Sequence, residues 1–209
     1  MLGIPLGLIY VNSGEWLLHK YVLHGLGKNK DSIWSFHWHD HHNSSSKHGF
    51  YDTNYEMPLF SNSAPGKETL ALTALVALHL PLLPVAPFFT ATLCYGAYNY
   101  YQKHKKAHND PEWARENLPW HYDHHMGPDQ DANWCVTKPW FDEIMGTRIP
   151  YVGTEEELKK RQYQTKRYQK AISPEEKSKR RQKNSSNMLE KLVDIYDSLK
   201  EIRNYSSVI

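Results

Sequence analysis

The chain changes character in long blocks. From Met1 to about Leu26 it is mostly apolar with helical spacing, and "MLGIPLGLIYVN" runs on into "SGEWLLHKYVLH" as the end of a helix entering a membrane. Residues 27–67 are polar, rich in His, Ser and Asn, and punctuated by Pro58, Pro65 and Gly66. No Asp, Glu, Lys or Arg occurs from Thr69 to Gln102. Residues 102–152 are polar and aromatic again, and a charged tail follows. The pattern predicts an all-α protein: an integral membrane helical bundle over residues 1–152 and a helical C-terminal tail over residues 153–209.

The uncharged run bears on topology. A single helix of that length, at about 1.5 Å per residue, overshoots a hydrocarbon core of roughly 30 Å. Pro81, Pro84 and Pro87 fall near its middle, where proline breaks or kinks a helix. A single kinked span puts the two polar regions on opposite sides of a membrane. A helical hairpin turning at "PLLPVAP" puts them on the same side. A buried hairpin in a soluble protein is the third reading. His79, inside the run, reads as a packing residue rather than a ligand.

Composition narrows the picture further. The net charge of +2 argues for neither a nucleic acid nor a strongly acidic partner. The two cysteines, Cys94 and Cys135, read as reduced thiols in a reducing compartment. The opening has no basic stretch and no small-residue cleavage site, so it does not read as a signal peptide. In the tail, "EEELKKRQYQTKRYQK" begins with acids and ends with bases, which suits a helix and its dipole. Ser173 and Pro174 suit the start of a second helix, and the stretch from Met188 to Leu199 is amphipathic.

Histidine carries the candidate chemistry. Of thirteen, ten fall into four clusters as potential ligands: His19 and His24; His37, His41 and His42; His104 and His108; and His121, His124 and His125. Residues i and i+4 on an α-helix lie about 40° apart, so His104 and His108 can reach one metal. His37 and His41 form another such pair, with His42 turned about 100° further toward a second, neighbouring metal. His121, His124 and His125 share one helical face by the same rule. His19 and His24 lie about 140° apart on a regular helix. They serve one ion only if the helix is distorted between them; otherwise each serves a different ion. Ten imidazoles are too many for one ion and suit two. An all-imidazole set suits Fe, Zn, Cu or Ni rather than Ca or Mg. Asp40 and Asp123 lie inside the clusters and can accept the second ring N–H of a ligand. His39 falls on another face, behind the ligands or in solvent.

In order, "EWLLHKYVLHG", "HWHDHH", "HKKAH" and "HYDHH", closed by "CVTKPWFDEIMGTR", resemble the histidine boxes of the fatty acid hydroxylase and sterol desaturase superfamily over roughly residues 14–151. The second box departs from the usual pattern of His, two residues, His-His: here three residues separate His37 from His41 and His42, with His39 inserted. The resemblance implies a membrane di-iron oxygenase that hydroxylates or desaturates a lipid C–H bond with O2. The ten histidines would hold two iron ions at the cytosolic membrane face, with zinc able to replace iron in a purified sample. Electrons would come from a separate carrier, such as cytochrome b5 or a ferredoxin system. The chain itself has no glycine-rich dinucleotide motif and no haem or flavin signature.

The same resemblance implies an integral membrane protein of the endoplasmic reticulum in a eukaryote, or of the inner membrane in a bacterium. Its partners are then a lipid substrate, the membrane and the redox carrier, with no nucleic acid. A site built from all four clusters also favours the hairpin. Two other classes compete. A membrane zinc hydrolase needs a pattern such as H-E-x-x-H, and no histidine here is followed by Glu. A histidine-rich metal-binding or transport protein would place ionisable residues within its spanning helices, whereas here nearly all histidines flank them.

Overall fold

A computed structural model describes residues 2–171, 179 and 182–191, with no strand among the described residues. Helix α1 (Gly3–Leu17) continues directly into a π-helical segment, Leu18–Leu26. A second π-helical segment, Phe36–His42, runs into the short α2 (Asn43–Lys47). A 3₁₀ turn at Thr53–Glu56 precedes α3 (Ala64–His79), which begins with Ser63 Oγ accepting from Gly66 N at 3.2 Å.

The chain then turns back at the prolines. Pro81 sits in a 3₁₀ turn, Leu80–Leu82, and Pro87 opens α4 (Pro87–Asn109), a position where its missing N–H costs no helical bond. Helices α3 and α4 pack together as a hairpin, the form shared by the second and third readings open from sequence. Helices α5 (Pro111–Asn117) and α6 (Pro119–Met126) follow, each opening on a proline. Helices α7 (Trp140–Ile144) and α8 (Glu155–Ala171) come next, and the described residues 182–191 are also helical.

The all-α expectation holds. The spanning bundle does not follow from these helices: among the described residues none is both long and apolar enough to cross a membrane. Helix α3 has 16 residues, about 24 Å of rise. Helix α4 is longer, but its last turns carry Lys103, Lys105 and Lys106.

Helix α1 packs chiefly along α4, and two glycines make the approach possible. A Cβ on Gly7 would meet Thr92 at 2.8 Å, and one on Gly96 would meet Val11 at 2.7 Å. The α1–α3 contact is polar: Tyr10 Oη donates to His79 Nε2 at 2.9 Å, while His79 Nδ1 donates to Leu75 O at 2.7 Å. His79 is thus a packing residue with both nitrogens paired. Much of the apolar surface here stays uncovered, including Leu2, Leu6 and Ile9 on α1, Leu70 and Leu78 on α3, and Val85 in the turn.

The chain divides into two compact units, Met1–Glu157 and Leu158–Ile209. Glu157 closes the first unit. It is buried, accepts from Arg115 Nη2 at 2.9 Å and from Gly153 N at 2.8 Å, and begins α8 with Glu155 and Glu156. The helix expected to start at Ser173 and Pro174 lies outside the described residues, as does the amphipathic stretch beyond residue 191.

Candidate metal centre

The two π-helical segments decide which histidines meet. Hydrogen bonding from i to i+5 makes residues five apart, rather than four, neighbours along one face. His19 and His24 therefore bring their ring centroids to 5.0 Å, through the distortion that their spacing demanded. The second segment does the same for His37 and His42, at 4.9 Å. This corrects the α-helical expectation for that cluster. His37 pairs with His42, and His41 is the residue that turns away.

Two buried groups result: His19, His24, His37, His42 and His124; and His41, His104, His108 and His125. Within each, one nitrogen per ring lies within 4.8 Å of all the others. The α-helical pair His104 and His108 stays together as its spacing requires. His124 and His125 separate into different groups, because adjacent residues on an α-helix point about 100° apart. The expectation that the fourth cluster serves one metal from a single face is corrected accordingly. His121 falls in neither group, but its Nε2 stands 3.2 Å from that of His108. The groups adjoin where the ring of His42 stacks on that of His125, centroids 4.2 Å apart.

The outer nitrogens are held by acceptors, which fixes the tautomers. His19 Nδ1 donates to Trp134 O at 2.5 Å, His124 Nδ1 to Ala132 O at 2.6 Å and His108 Nδ1 to Phe50 O at 2.8 Å. His24, His41 and His104 turn Nδ1 to Asp131, Asp52 and Glu68. In the neutral ring each of these Nε2 atoms is then a bare lone pair. Yet His42 Nε2 lies 3.0 Å from His24 Nε2 and 3.1 Å from His124 Nε2, and one N–H cannot serve both. In the second group, His41 Nε2, His104 Nε2 and both nitrogens of His125 are buried without a hydrogen-bond partner. Lone pairs converging on a dry interior are the donor set that a cation between them would satisfy. The residues present therefore fit two metal ions with nitrogen ligands.

Burial, reinforced by the neighbouring rings, holds His19, His37, His42, His108, His121 and His125 well below the usual imidazole pKa. Burial lowers His24 to about 4, although its bond to Asp131 acts the other way. Neutral imidazole is the form that binds metal. Burial pushes Asp52 and Glu68 upward, but their bonds to His41 and His104 outweigh it and leave both below the usual carboxylate range.

The carboxylates and carbonyls behind the ligands were not visible as such in the sequence. The carbonyls carry no side-chain signal at all. Glu68 left one trace, as the last charged residue before the uncharged run. The residues singled out from the clusters do other work. Asp40 is exposed and lines a polar surface cavity with Lys47 and His48. His39 Nε2 hydrogen-bonds Lys28 O at 3.0 Å, outside both groups. Asp123 is buried, but it accepts from Val152 N at 2.7 Å and pairs with Arg148 at 2.7 Å. It anchors the segment after the last histidines instead of orienting a ring.

That segment delivers the carbonyls to His19 and His124. Glu15, at the end of α1, accepts from Val136 N at 3.0 Å, Thr137 N at 2.9 Å and Thr137 Oγ1 at 2.5 Å. Asn12 Nδ2 donates to Lys138 O at 2.8 Å. Asp142 receives Trp134 N and Cys135 N, both at 2.8 Å. Trp16, Trp134 and Cys135 form a buried apolar cluster beside these bonds. The resulting strap holds Ala132 and Trp134 against the first histidine group.

Comparison with known proteins agrees with this geometry. A family model described as fatty acid hydroxylase matches residues 4–147, a stretch that holds all ten clustered histidines. No curated protein and no solved structure matches the chain.

Proposed function

The chain belongs to the fatty acid hydroxylase family, and from that premise we propose that it is a membrane-associated oxygenase that hydroxylates or desaturates a lipid C–H bond using two metal ions, iron in the working state. One observation carries the reading: two adjoining buried groups of imidazoles whose Nε2 atoms converge with too few protons to satisfy them all. Iron bound there would supply the activation of dioxygen, with electrons drawn from an outside carrier such as cytochrome b5 or a ferredoxin system.

The chain's own residues would do the rest. The Trp134, Ala132 and Phe50 carbonyls hold the Nδ1 protons of His19, His124 and His108, so that Nε2 faces inward. Phe50, stacked on His108 with centroids 4.4 Å apart, and buried Tyr55 and Trp134 keep water from the rings. The histidines of α1's continuation and of α4 lie at the polar ends of helices whose other turns expose apolar side chains. That arrangement suits a site at the cytosolic membrane surface, in the endoplasmic reticulum or a bacterial inner membrane, with lipid arriving along the apolar side.

The test is to purify the protein, measure its iron, and follow oxygen-dependent oxidation of added lipids by mass spectrometry. About two irons per chain and a hydroxylated or desaturated product are expected. Fewer than about one metal per chain, with binding unchanged in His124→Ala, would sink the reading.

A further inference from the structure

The two histidine groups differ in what stands behind them. Behind the His41 group lie two carboxylates: Asp52 Oδ2, 3.0 Å from His41 Nδ1, and Glu68 Oε1, 2.6 Å from His104 Nδ1. Their side chains are 0% and 11% exposed. Each is held in turn. Asp52 Oδ1 accepts from Ser44 Oγ at 2.9 Å and Asn54 Nδ2 at 2.8 Å, and Glu68 Oε2 accepts from Tyr55 Oη at 2.7 Å. The Tyr55 ring lies parallel to His108, 7° between planes, and closes the group from that side. Behind the His19 group stand two carbonyl oxygens and one carboxylate, Asp131, which is 50% exposed and 3.2 Å from His24 Nδ1. Lys28 Nζ lies 2.6 Å from Asp131 Oδ2 and offsets its charge.

Charge then separates the two positions. A divalent ion among His41, His104, His108 and His125 faces two buried carboxylates, and the formal charges cancel. Among the other five histidines, Asp131 and Lys28 cancel each other, and the ion's charge stays uncompensated. In a buried site that difference is large, whereas the half-exposed Asp131 is screened by solvent. An imidazole backed by a carboxylate is also the more basic donor. Ring number does not reverse the order, because His121 stands 3.2 Å from His108 as a fifth ring beside the smaller group.

We propose that the two metal positions are unequal: His41, His104, His108 and His125 hold their ion about tenfold or more tightly than the His19 group holds its own. Asp52 and Glu68 are positioning residues that act through His41 and His104. This inference rests on the dimetal reading above.

The test is a titration of the metal-free full chain with zinc against a chromophoric chelator, together with anomalous scattering from a crystal given one equivalent of zinc. Two binding steps are expected, about tenfold or more apart, with the first ion among the His41 group. Glu68→Gln should weaken the tight step by about 10–100-fold and leave the weak step in place. Asp131→Asn should move only the weak step. If Glu68→Gln does not fold, the scattering from the wild-type chain decides the order by itself. Two equal steps, or a first ion in the His19 group, would overturn the inequality and leave the dimetal reading standing. A chain that binds no zinc overturns the dimetal reading itself.

Discussion

His37 and His42 lie five residues apart on the Phe36–His42 π-helical segment, with ring centroids 4.9 Å apart, and both belong to the group around His19. His41, between them in sequence, belongs to the other group. A regular α-helix would have joined His37 to His41 instead.

The two registers predict different couplings. The double variant His37→Ala/His42→Ala should empty one position and retain about one metal ion per chain. The double variant His37→Ala/His41→Ala should damage both and retain well under one. Elemental analysis of the purified proteins distinguishes the cases. Equal losses in the two variants would contradict the π-helical register.

Acid should destabilise the metal-free protein over a defined window. The folded pKa of His24 is depressed to about 4 from an ordinary 6.5, and seven more clustered histidines are held well below their usual value by burial. Protons therefore bind the unfolded chain more tightly than the folded one. The stability these rings contribute is fully present above pH 6.5 and is lost as pH falls toward about 4. Thermal unfolding as a function of pH should show a plateau near neutrality and a steep fall in Tm below it. A Tm that rises between pH 6.5 and 4 would refute the assignment of these rings as buried and neutral.

Glu15 bridges α1 to the strap that carries Ala132 and Trp134. Glu15→Ala leaves the buried donors of Val136 and Thr137 without their acceptor. The expected cost is about 3 kcal/mol of unfolding free energy, measured by chemical denaturation. Glu15→Gln keeps a side-chain acceptor and should cost less. Metal should be lost preferentially from the His19 group, whose carbonyl supports the strap delivers.

The uncovered apolar surface predicts lipid binding. Leu78 and Val85 are 74% and 80% exposed, on α3 and in the turn that follows. Replacing both with Lys removes about 1.5 kcal/mol or more of apolar burial per site on a membrane. Flotation with phospholipid vesicles should show the wild-type chain bound and the double variant largely released. Metal content should be the same in both, since both residues are exposed and neither belongs to the histidine groups.

Local spacing made much of this protein readable. The four histidine clusters, the nitrogen-only ligand set and the proline-marked turn of the hairpin follow from residue type and short-range periodicity. The pairing of His104 with His108 was legible because α4 is a regular helix there. The spacing of His19 and His24 was itself a signal, since five residues on a regular helix cannot serve one ion. What spacing could not show is that the second cluster is also π-helical, so His37 and His41 are divided. Nor could it reach the groups that orient the rings. Asp52, Glu68 and Asp131 meet histidines 11, 36 and 107 positions away in the chain. The Trp134 carbonyl meets His19 at a separation of 115. Sequence by itself determined which side chains can bind metal. Tertiary structure decided how nine of the ten are shared between two groups and which carry buried charge behind them, because those outcomes depend on helix register and on contacts that exist only once distant segments pack together.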